Sequence, residues 1–324
     1  MQAFELSSAI IEARDVAADH SSMGERIEAY RSREPASDLP LIVSDPSTTS
    51  SQVAPCIPEI KPEEFNAGIL QTALAKHGAL IVRQMFSQES LAGLVHAADR
   101  VIDECEDPLA EHPHPGTYFN PPENLRSIMP KGHKELGNTR TFHRDSGSSM
   151  CVEAPCVAES LLALYEAYGL KEILGEYLQE APCLTAKKWV LRRSKLPVAE
   201  AGWHQDGAFM GTDINSINMW LPLNECGGET GAPGMDLLPQ RLHEVTSAEG
   251  AQFDWSVSDS HIDNTFKGAR PIAPEFNSGD ALFFDHFFLH RTQYRTDFSQ
   301  IRYAVETWFF GQSRFPKNQI PLAW

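Results

Sequence analysis

The chain has 324 residues, of which 42% are hydrophobic and 22% charged, a composition typical of a folded protein. This length allows one large domain or two ordinary ones, and it buries a sizeable core without disulfides. The formal net charge of -17 repels polyanions at long range, which argues against nucleic acid and anionic membranes as partners.

The sequence also bears on the cellular compartment. No apolar run approaches the roughly 20 residues needed to span a bilayer. The first residues show no basic region followed by an apolar run, as a secretory signal would. The 6 cysteines form no C-x-x-C pair, as expected for reduced thiols. We therefore expect a cytoplasmic protein, and nothing in the sequence indicates its oligomeric state.

The beginning of the chain differs in composition from the rest. Residues 1–57 are rich in charge, Ser, Pro and Ala, and their last part, within SDPSTTSSQVAPCIPEIKP, is typical of a linker. We interpret residues 1–57 as an N-terminal arm and linker, with a short helix over residues 4–18. Residues 58–324 are interpreted as a single domain.

Helical patterns dominate the first part of this domain. Apolar residues recur at helical spacing over residues 62–77, 87–104 and 157–178. Gly78 stands where a C-cap glycine belongs. Between the first two patterns, the β-branched run ALIVRQMF predicts a short strand.

After Pro182 the pattern changes from helices to short strands. The β-type segments are separated by Gly, Pro, Asn and Asp, and they read CLTAKKWVLRR, SINMWLPL, DALFFDHFFLH and IRYAVETWFF. Helices followed by many short strands are typical of an α+β chain. We expect the C-terminal half to form an antiparallel sandwich or barrel flanked by helices.

Three His-x-Asp sequences are candidates for a metal site. A mononuclear iron site that activates oxygen is usually built from two imidazoles and one carboxylate. On a strand, residues i and i+2 point the same way, so His-x-Asp supplies two ligands from one segment. About one such match is expected by chance. The matches are His143/Asp145, His204/Asp206 and His261/Asp263.

The second match is favoured by its position. His204 and Asp206 lie in GWHQDGAF, between two strand candidates, and 86 residues separate His204 from His290, enough for several strands. The first match lies in loop-type sequence. The third lies in a polar stretch too close to His290 for a sheet between them.

The third ligand is sought in DALFFDHFFLHRT, where His286 and His290 would share one face of a regular strand. Arg302 begins the next strand candidate, where antiparallel pairing could bring it beside His290. A planar, permanently charged guanidinium suits the far carboxylate of an oxoacid better than an ammonium does. We therefore predict His290 as the ligand and Arg302 as the oxoacid anchor, with His286 a core histidine or a neighbour of the site.

These motifs, in this order, resemble the phytanoyl-CoA dioxygenase family. The segments that carry the resemblance are WHQDG, SINMWLPL, NECGGETGAPGMDLLP, GDALFFDHFFLHRT and the later Arg302, over about residues 183–312. HGALIVRQMF extends the likeness back to about residue 60. The family is a branch of the iron(II)- and 2-oxoglutarate-dependent oxygenases, built on a double-stranded β-helix, a cupin-like jelly roll. The resemblance implies this fold here, with flanking helices.

The resemblance also implies a cofactor set of Fe(II), 2-oxoglutarate and O2, and a role for particular residues. The implied iron ligands are His204, Asp206 and His290. Arg302 would pair with the far carboxylate of 2-oxoglutarate, assisted by the hydroxyl of Thr292. The other implied residues of the cosubstrate site are Trp220, for which a purely structural role in the core is the alternative, and Gln205.

The chain departs from the family's pattern at one turn. Where the family often has Pro-Gly-Ser-His, residues 239–243 read PQRLH, a change that concerns local conformation more than chemistry. Asp206 is present where related halogenases carry a small residue, so the resemblance does not imply halogenation.

The implied reaction is hydroxylation of an unactivated C–H bond of a small molecule, in which 2-oxoglutarate and O2 become succinate and CO2. Desaturation and ring closure remain open as outcomes. Two other functions also remain open. One is a metal-dependent cupin oxygenase or hydrolase that uses no oxoacid, and the other is a non-catalytic β-helix protein that binds a small molecule. Dependence on 2-oxoglutarate distinguishes the dioxygenase from both of these alternatives.

The sequence leaves the substrate unidentified. Residues 107–156, rich in Pro, Gly and His, are predicted to form a long loop or lid that contacts substrate, together with the N-terminal arm. Glu306 and Trp308 share the strand parity of Arg302 and are candidates for inward-facing contacts. Four arginines could bind an anionic group or could be solvated surface residues: Arg140, Arg144, Arg192 and Arg193.

Overall fold

The computed structural model describes residues 20–34, 39–42, 56–106, 119, 121, 136–246, 254–266 and 269–324. The helix predicted over residues 4–18 and most of residues 107–135 of the predicted lid lie outside these ranges. Residues 136–156, predicted as part of the same long loop, instead contain a helix (Leu136–Asp145) and a strand (Ser148–Met150). Within them, no helix is both long enough and apolar enough to cross a membrane.

The helices of the described residues lie mainly in the first part of the chain, as predicted. Helix α2 ends at Gly78, whose positive φ of 83° and N–H bond to the Leu74 carbonyl make it the expected C-cap. The bounds are α1 (Ser21–Ser32), α2 (Ala67–His77), α3 (Leu94–Glu106), α4 (Leu136–Asp145), α5 (Pro155–Ala167), α6 (Leu170–Leu178), α7 (Gly207–Met210) and α8 (Asp259–Thr265).

All three helical predictions were wrong in their bounds. The pattern over residues 62–77 begins with a 3-10 turn at Pro62–Glu64, and its α-helix starts only at Ala67. The pattern over residues 87–104 begins as turns, and helix α3 starts only at Leu94. The pattern over residues 157–178 is two helices, α5 and α6, because Gly169 adopts a left-handed conformation with φ 70°. A left-handed residue cannot continue an α-helix, so the chain changes direction there while the apolar pattern runs on.

Among the described residues, the strands form two mainly antiparallel sheets and a short extra pair. The bounds are β1 (Glu59–Ile60), β2 (Ala79–Val82), β3 (Ser148–Met150), β4 (Pro182–Arg193), β5 (Trp203–His204), β6 (Ser216–Pro222), β7 (Cys226–Gly227), β8 (Met235–Leu237), β9 (Ser256–Val257), β10 (Glu275–Phe276), β11 (Ala281–Phe284), β12 (His290–Thr292), β13 (Tyr303–Gly311) and β14 (Pro321–Ala323).

The major sheet has the order β1-β2-β11-β6-β13-β4-β14, with β3 also paired to β4, and only the β1–β2 pairing is parallel. The minor sheet has the order β8-β12-β5-β9, and β7 pairs with β10. Strands distant in sequence therefore lie side by side, since β6 pairs with both β11 and β13.

Alternate residues of the major sheet face two different cores. In β13, Val305 and Phe309 belong to the outer core, the cluster shared with helices α2, α5 and α6. Ala304 and Trp308 belong to the inner core, a cluster that also contains Met235 of the minor sheet. This alternation is the period of a strand buried on both faces. The helices thus cover one face of the major sheet, and the minor sheet faces the other.

Part of the predicted N-terminal arm packs on this body. Helix α1 buries Met23 and Ile27 in the outer core. Its Arg26 donates to the Ala323 carbonyl at 3.0 Å and forms an ion pair with Glu159 of α5. The boundary at residue 57 between arm and domain stays a prediction.

The turn that departs from the family's pattern contains a buried ion pair. Arg241 pairs with Asp285, and both side chains are almost fully enclosed. The other carboxylate oxygen of Asp285 accepts the N–H of Phe287 at 3.0 Å. Asp285 follows β11, so this pair holds residues 239–243 against the connection between β11 and β12.

We expect the replacement Arg241→Met to lower the free energy of unfolding by about 3–5 kcal/mol, because it leaves a buried carboxylate without its cation. Denaturant titration measures the change. The double variant Arg241→Met/Asp285→Asn should regain part of the loss, since asparagine keeps an acceptor for Phe287 without a charge. Lys171→Met, which removes the exposed pair with Glu166, serves as the control and should cost at most about 1 kcal/mol.

Candidate metal centre

The pairing of two short strands brings two histidines together. Strand β12 runs antiparallel to β5, and His290 stands directly opposite His204. Their ring centroids are 4.4 Å apart. Asp206 follows β5 and places its Oδ2 atom 3.5 Å from Nε2 of His290. One donor atom from each of the three residues lies within 4.8 Å of the others, a spacing that one metal ion can bridge.

Backbone carbonyls orient both imidazoles. Nδ1 of His204 lies 3.1 Å from the Gly202 carbonyl, and Nδ1 of His290 lies 3.0 Å from the Phe288 carbonyl. A carbonyl only accepts, so each Nδ1 carries the proton and each Nε2 keeps its lone pair. Burial lowers the pKa of His204 to about 4 and also lowers the pKa of His290. Both rings are therefore neutral at pH 7, as metal ligands must be.

The carboxylate of Asp206 has a cationic neighbour that sequence reasoning missed. Its Oδ1 atom accepts a hydrogen bond of 3.1 Å from Nζ of Lys188, which lies in β4. Lys188 is also 3.7 Å from Glu306 of β13, and Glu306 forms an ion pair with Arg192. Of these contacts, the sequence indicated only that Glu306 shares the strand parity of Arg302.

The residues around Asp206 fix the local backbone. The amide of Gln205 donates to the carbonyls of Phe287 at 2.6 Å and Glu244 at 3.0 Å, and its oxygen accepts the N–H of Thr246 at 2.8 Å. Gly207 donates its N–H to the His286 carbonyl at 2.9 Å, and a Cβ there would lie 3.0 Å from the same oxygen. WHQDG is thus held closely against the connection between β11 and β12.

The structure separates the two candidates for the third ligand. DALFFDHFFLH is not one strand, because residues 285–289 connect β11 to β12. His286 lies in this connection and shares a hydrogen bond of 2.8 Å with the Ser216 hydroxyl. His290 lies in β12 beside His204. Strand parity could not distinguish them, because residues four positions apart share a face of a regular strand, whereas in the structure the chain turns between them.

Arg302 is a buried guanidinium without a carboxylate partner among the described residues. It lies just before β13 and is 6% exposed. Its Nη1 atom is 3.4 Å from the Gly234 carbonyl, its Nε atom has no partner, and its Cζ atom is 5.8 Å from the ring centroid of Trp220. Burial lowers the pKa of Arg302 to about 10, so it remains charged at neutral pH. A buried, unpaired cation costs several kcal/mol, which a bound anion would offset.

Further orphaned polar atoms face the inner core. Both amide atoms of Asn218 and Nε1 of Trp308 have no hydrogen-bond partner among the described residues. Asn218 stands opposite Trp308 on one side and Phe284 on the other. The Phe284 ring lies 4.6 Å from that of His290. Asn218 is the inward residue next to Trp220 on β6, and the Trp220 ring lies beside Arg302. The sequence signal that could have identified Asn218 is its place in the apolar strand SINMWLPL, two residues before Trp220 and therefore on the same face.

Thr292 lies two residues after His290 at the end of β12, opposite Met235, and is half-buried. Strand alternation puts it on the same side as His290. Trp220 lies in β6 and contacts Phe276 at a centroid distance of 5.0 Å. The structure therefore places Thr292 and Trp220 on the walls of the inner core, and it places Gln205 among backbone groups.

The other two His-x-Asp matches lie in helices. His143 and Asp145 belong to α4, and His261 and Asp263 belong to α8. Residues i and i+2 of a helix do not share a face, so neither pair could act as a two-ligand unit. His143 is buried, with Nδ1 3.0 Å from the Ser148 hydroxyl and Nε2 3.1 Å from the Lys187 carbonyl.

Three of the four arginines proposed for anion binding have protein carboxylates beside them. Arg140 pairs with Glu153 at 2.7 Å, and Arg193 pairs with Asp103 at 2.6 Å. Arg192 pairs with Glu306, on the inner side of β4. Of these three, Arg192 is the one close to the metal centre.

Comparisons with known proteins agree with this geometry at the level of the fold. No protein-family model matches the chain, and no curated protein matches its sequence. The structure of EctD from S. alaskensis with 2-oxoglutarate and 5-hydroxyectoine is similar, with a TM-score of 0.53, 16% identity, and coverage of 87% of this chain and 85% of that chain. Its apoform has a TM-score of 0.52, 16% identity, and coverage of 88% and 86%.

These structural neighbours are iron- and 2-oxoglutarate-dependent oxygenases with a jelly-roll core. At 16% identity the likeness shows the fold alone. The prediction of an α+β chain with a double-stranded β-helix, or cupin-like jelly-roll, core flanked by helices is confirmed.

The buried His143 makes stability depend on pH. Burial is the main cause that lowers its pKa to about 3, and Arg192 adds repulsion. The unfolded chain takes up this proton near pH 6.5 and the folded chain does not, so the contribution to stability falls as pH drops from about 6.5 towards 3. We expect unfolding free energies measured from pH 7 to 4 to fall less steeply for His143→Gln, by up to about 1.4 kcal/mol per pH unit. Parallel curves for the two proteins would contradict a buried neutral histidine.

Proposed function

We propose that the protein is an Fe(II)- and 2-oxoglutarate-dependent dioxygenase that hydroxylates an unactivated C–H bond of a small molecule. One observation carries the proposal. Arg302, a buried guanidinium without a carboxylate partner among the described residues, packs beside Trp220 of the inner core, in a structure that also brings together three side chains able to bind a metal. A metal site alone would not need this cation, whereas an oxoacid with one end on the metal needs a counter-charge at its other end.

The three side chains suit iron in an open site. His204 and His290 offer neutral Nε2 atoms and Asp206 offers a carboxylate oxygen, the two-histidine, one-carboxylate set of mononuclear iron oxygenases. We infer that these three residues hold Fe(II). Three protein ligands on one face leave positions for a bidentate oxoacid and for O2. Iron, 2-oxoglutarate and O2 together would supply the oxidant that removes the substrate hydrogen, with succinate and CO2 as co-products.

The walls of the inner core suggest how 2-oxoglutarate would lie. Its far carboxylate would pair with Arg302, assisted by the hydroxyl of Thr292, and its chain would pass the ring of Trp220. The amide of Asn218 has no hydrogen-bond partner among the described residues, and Asn218 lies two residues before Trp220 and opposite Phe284. This amide is suited to bind the carboxylate of 2-oxoglutarate that would lie beside the metal. Gln205 would act as a positioning residue, because its amide is engaged by backbone groups.

The protein surroundings would exclude water from the site. The inner core is lined by apolar side chains including Phe284, Trp308 and Leu282. In such surroundings the charged groups interact strongly and a reactive oxidant is shielded. We infer that the ion pair of Glu306 and Arg192, on the inner side of the major sheet, borders the space for a small-molecule substrate. Membership of the phytanoyl-CoA dioxygenase family, a single domain over residues 58–324 and a cytoplasmic location belong to the same proposal.

The first test is an anaerobic titration of the metal-free protein with Fe(II) and then with 2-oxoglutarate. We expect the weak visible charge-transfer band of the iron–oxoacid chelate, and we expect His204→Ala and Asp206→Ala to abolish it because each removes a ligand. His261→Ala, a histidine of the rejected pair in α8, is the matched control and should leave the band unchanged. Iron binding without a band would favour the cupin oxygenase or hydrolase, and absence of iron binding would favour the binding protein.

A second test concerns the counter-charge. We expect Arg302→Gln to retain Fe(II) and to bind 2-oxoglutarate at least about 30-fold more weakly, because losing one partner of a buried charge pair costs about 2–5 kcal/mol. Thr292→Val should cost only about 1 kcal/mol, the value of a neutral hydrogen bond. Without 2-oxoglutarate, Arg302→Gln should unfold at no lower denaturant concentration than the unchanged protein, since it removes an unpaired buried charge. Equal 2-oxoglutarate affinities would exclude Arg302 as the anchor.

A further inference from the structure

We propose that Lys188 is a positioning residue that keeps Asp206 a one-oxygen ligand, so that the metal retains the positions that an oxoacid and O2 require. This inference rests on the proposed function, because it assigns a task to a residue beside the same metal. It concerns a contact that neither the His-x-Asp motif nor the resemblance to a family implies.

The two oxygens of Asp206 face different partners. Oδ2 lies 3.5 Å from Nε2 of His290, on the side where the ligand atoms converge. Oδ1 accepts a hydrogen bond of 3.1 Å from Nζ of Lys188. An ammonium has three donors and no lone pair, so it can hold a carboxylate oxygen but cannot itself bind the metal. A metal held by both histidines and Oδ2 therefore leaves Oδ1 with Lys188.

Other contacts hold Lys188 independently of Asp206. Its Nζ atom is 3.7 Å from Oε1 of Glu306 and 4.5 Å from the ring centroid of Phe209. Glu306 is itself held by Nε of Arg192 at 2.7 Å. The side chains of Glu306 and Phe209 are mostly enclosed, so the ammonium of Lys188 interacts with them in a medium of low dielectric constant. Lys188 thus has contacts with other elements besides its hydrogen bond to Asp206.

An irregularity in the major sheet directs Lys188 inward. Strand β4 pairs Trp189 with Thr307 and then Leu184 with Phe309, so β4 advances five residues where β13 advances two. The extra residues of β4 include Lys188, whose contacts show that it points towards Asp206. Irregular pairings of this kind change the direction of side chains beside active sites. Alternation from the start of β4 would not have predicted this orientation.

The consequence follows from the number of metal positions. A carboxylate can bind a metal through one oxygen or through both. A bidentate Asp206 would take a fourth position and leave two, which a chelating oxoacid alone would fill. Lys188 opposes this, because moving Oδ1 to the metal breaks a charge-assisted hydrogen bond in a largely enclosed site. The lysine would thus protect the third open position.

The experiment compares Lys188→Met with the unchanged protein by anaerobic titration with 2-oxoglutarate at saturating Fe(II). We expect Lys188→Met to bind Fe(II), since all three ligands remain, and to form the visible band, because a chelating oxoacid needs only the two positions that a bidentate Asp206 leaves. Mn(II) gives a second measurement. Its enhancement of water proton relaxation reports the positions open to water, and we expect a smaller enhancement in Lys188→Met because Asp206 occupies one more.

Matched variants separate positioning from general damage. Lys188→Arg keeps a donor for Oδ1 and should restore most of the Mn(II) relaxation enhancement. Lys187→Met removes the neighbouring lysine, whose Nζ binds the Asn318 carbonyl at 3.1 Å, and should leave both measurements unchanged. Lys188→Gln provides a second neutral variant whose amide is too short to reach Oδ1 as the lysine does, and circular dichroism shows which variants are folded.

The outcomes are distinct from those of the proposed function. If the unchanged protein shows no band, the proposed function fails, and this inference fails with it. If the unchanged protein shows the band and a folded Lys188→Met or Lys188→Gln has the same Mn(II) relaxation, only the inference about Lys188 is wrong. A loss in Lys187→Met equal to that in Lys188→Met would also overturn it, because the effect would then belong to the strand.

Discussion

The antiparallel pairing of β5 with β12 is the interaction on which the site depends. It sets His204 directly opposite His290, although 86 residues separate them in the chain. The backbone also orients the rings, because carbonyls two residues before each histidine hold the Nδ1 protons. The positions of the two histidines and the orientations of their rings are thus set by two short strands, which the rest of the fold holds in register.

The major sheet supplies charge beside the proposed metal site, whose two histidines lie in the minor sheet. Its inner face carries Arg302, Lys188 and Glu306, whereas its outer face packs against helices with apolar side chains. Within an enclosed inner core, each of these charges needs a partner. Lys188 and Glu306 have partners in the protein, and Arg302 has none among the described residues. Because they are paired, Lys188 and Glu306 are suited to position other side chains. Arg302 is instead suited to pair with a ligand.

The departure of residues 239–243 from the family's pattern also has a physical account. Arg241 of this turn pairs with Asp285, which begins the connection between β11 and β12. The same connection accepts hydrogen bonds from Gln205 and Gly207, the residues on either side of Asp206. The ion pair and the amide contacts therefore fix one short segment from two directions. The segment leads directly into His290, so local packing there bears on the metal centre.

The sequence by itself indicated the strand-rich second half and predicted His204, Asp206 and Arg302 as site residues, because strand periodicity and side-chain chemistry are local properties. It did not determine that the rejected pairs lie in helices, that residues 157–178 break at Gly169, or that DALFFDHFFLH turns before His290. Lys188 and Asn218 emerged only from the tertiary structure. Their surroundings depend on cross-strand register and on an irregularity in β4, which residues distant in sequence decide together.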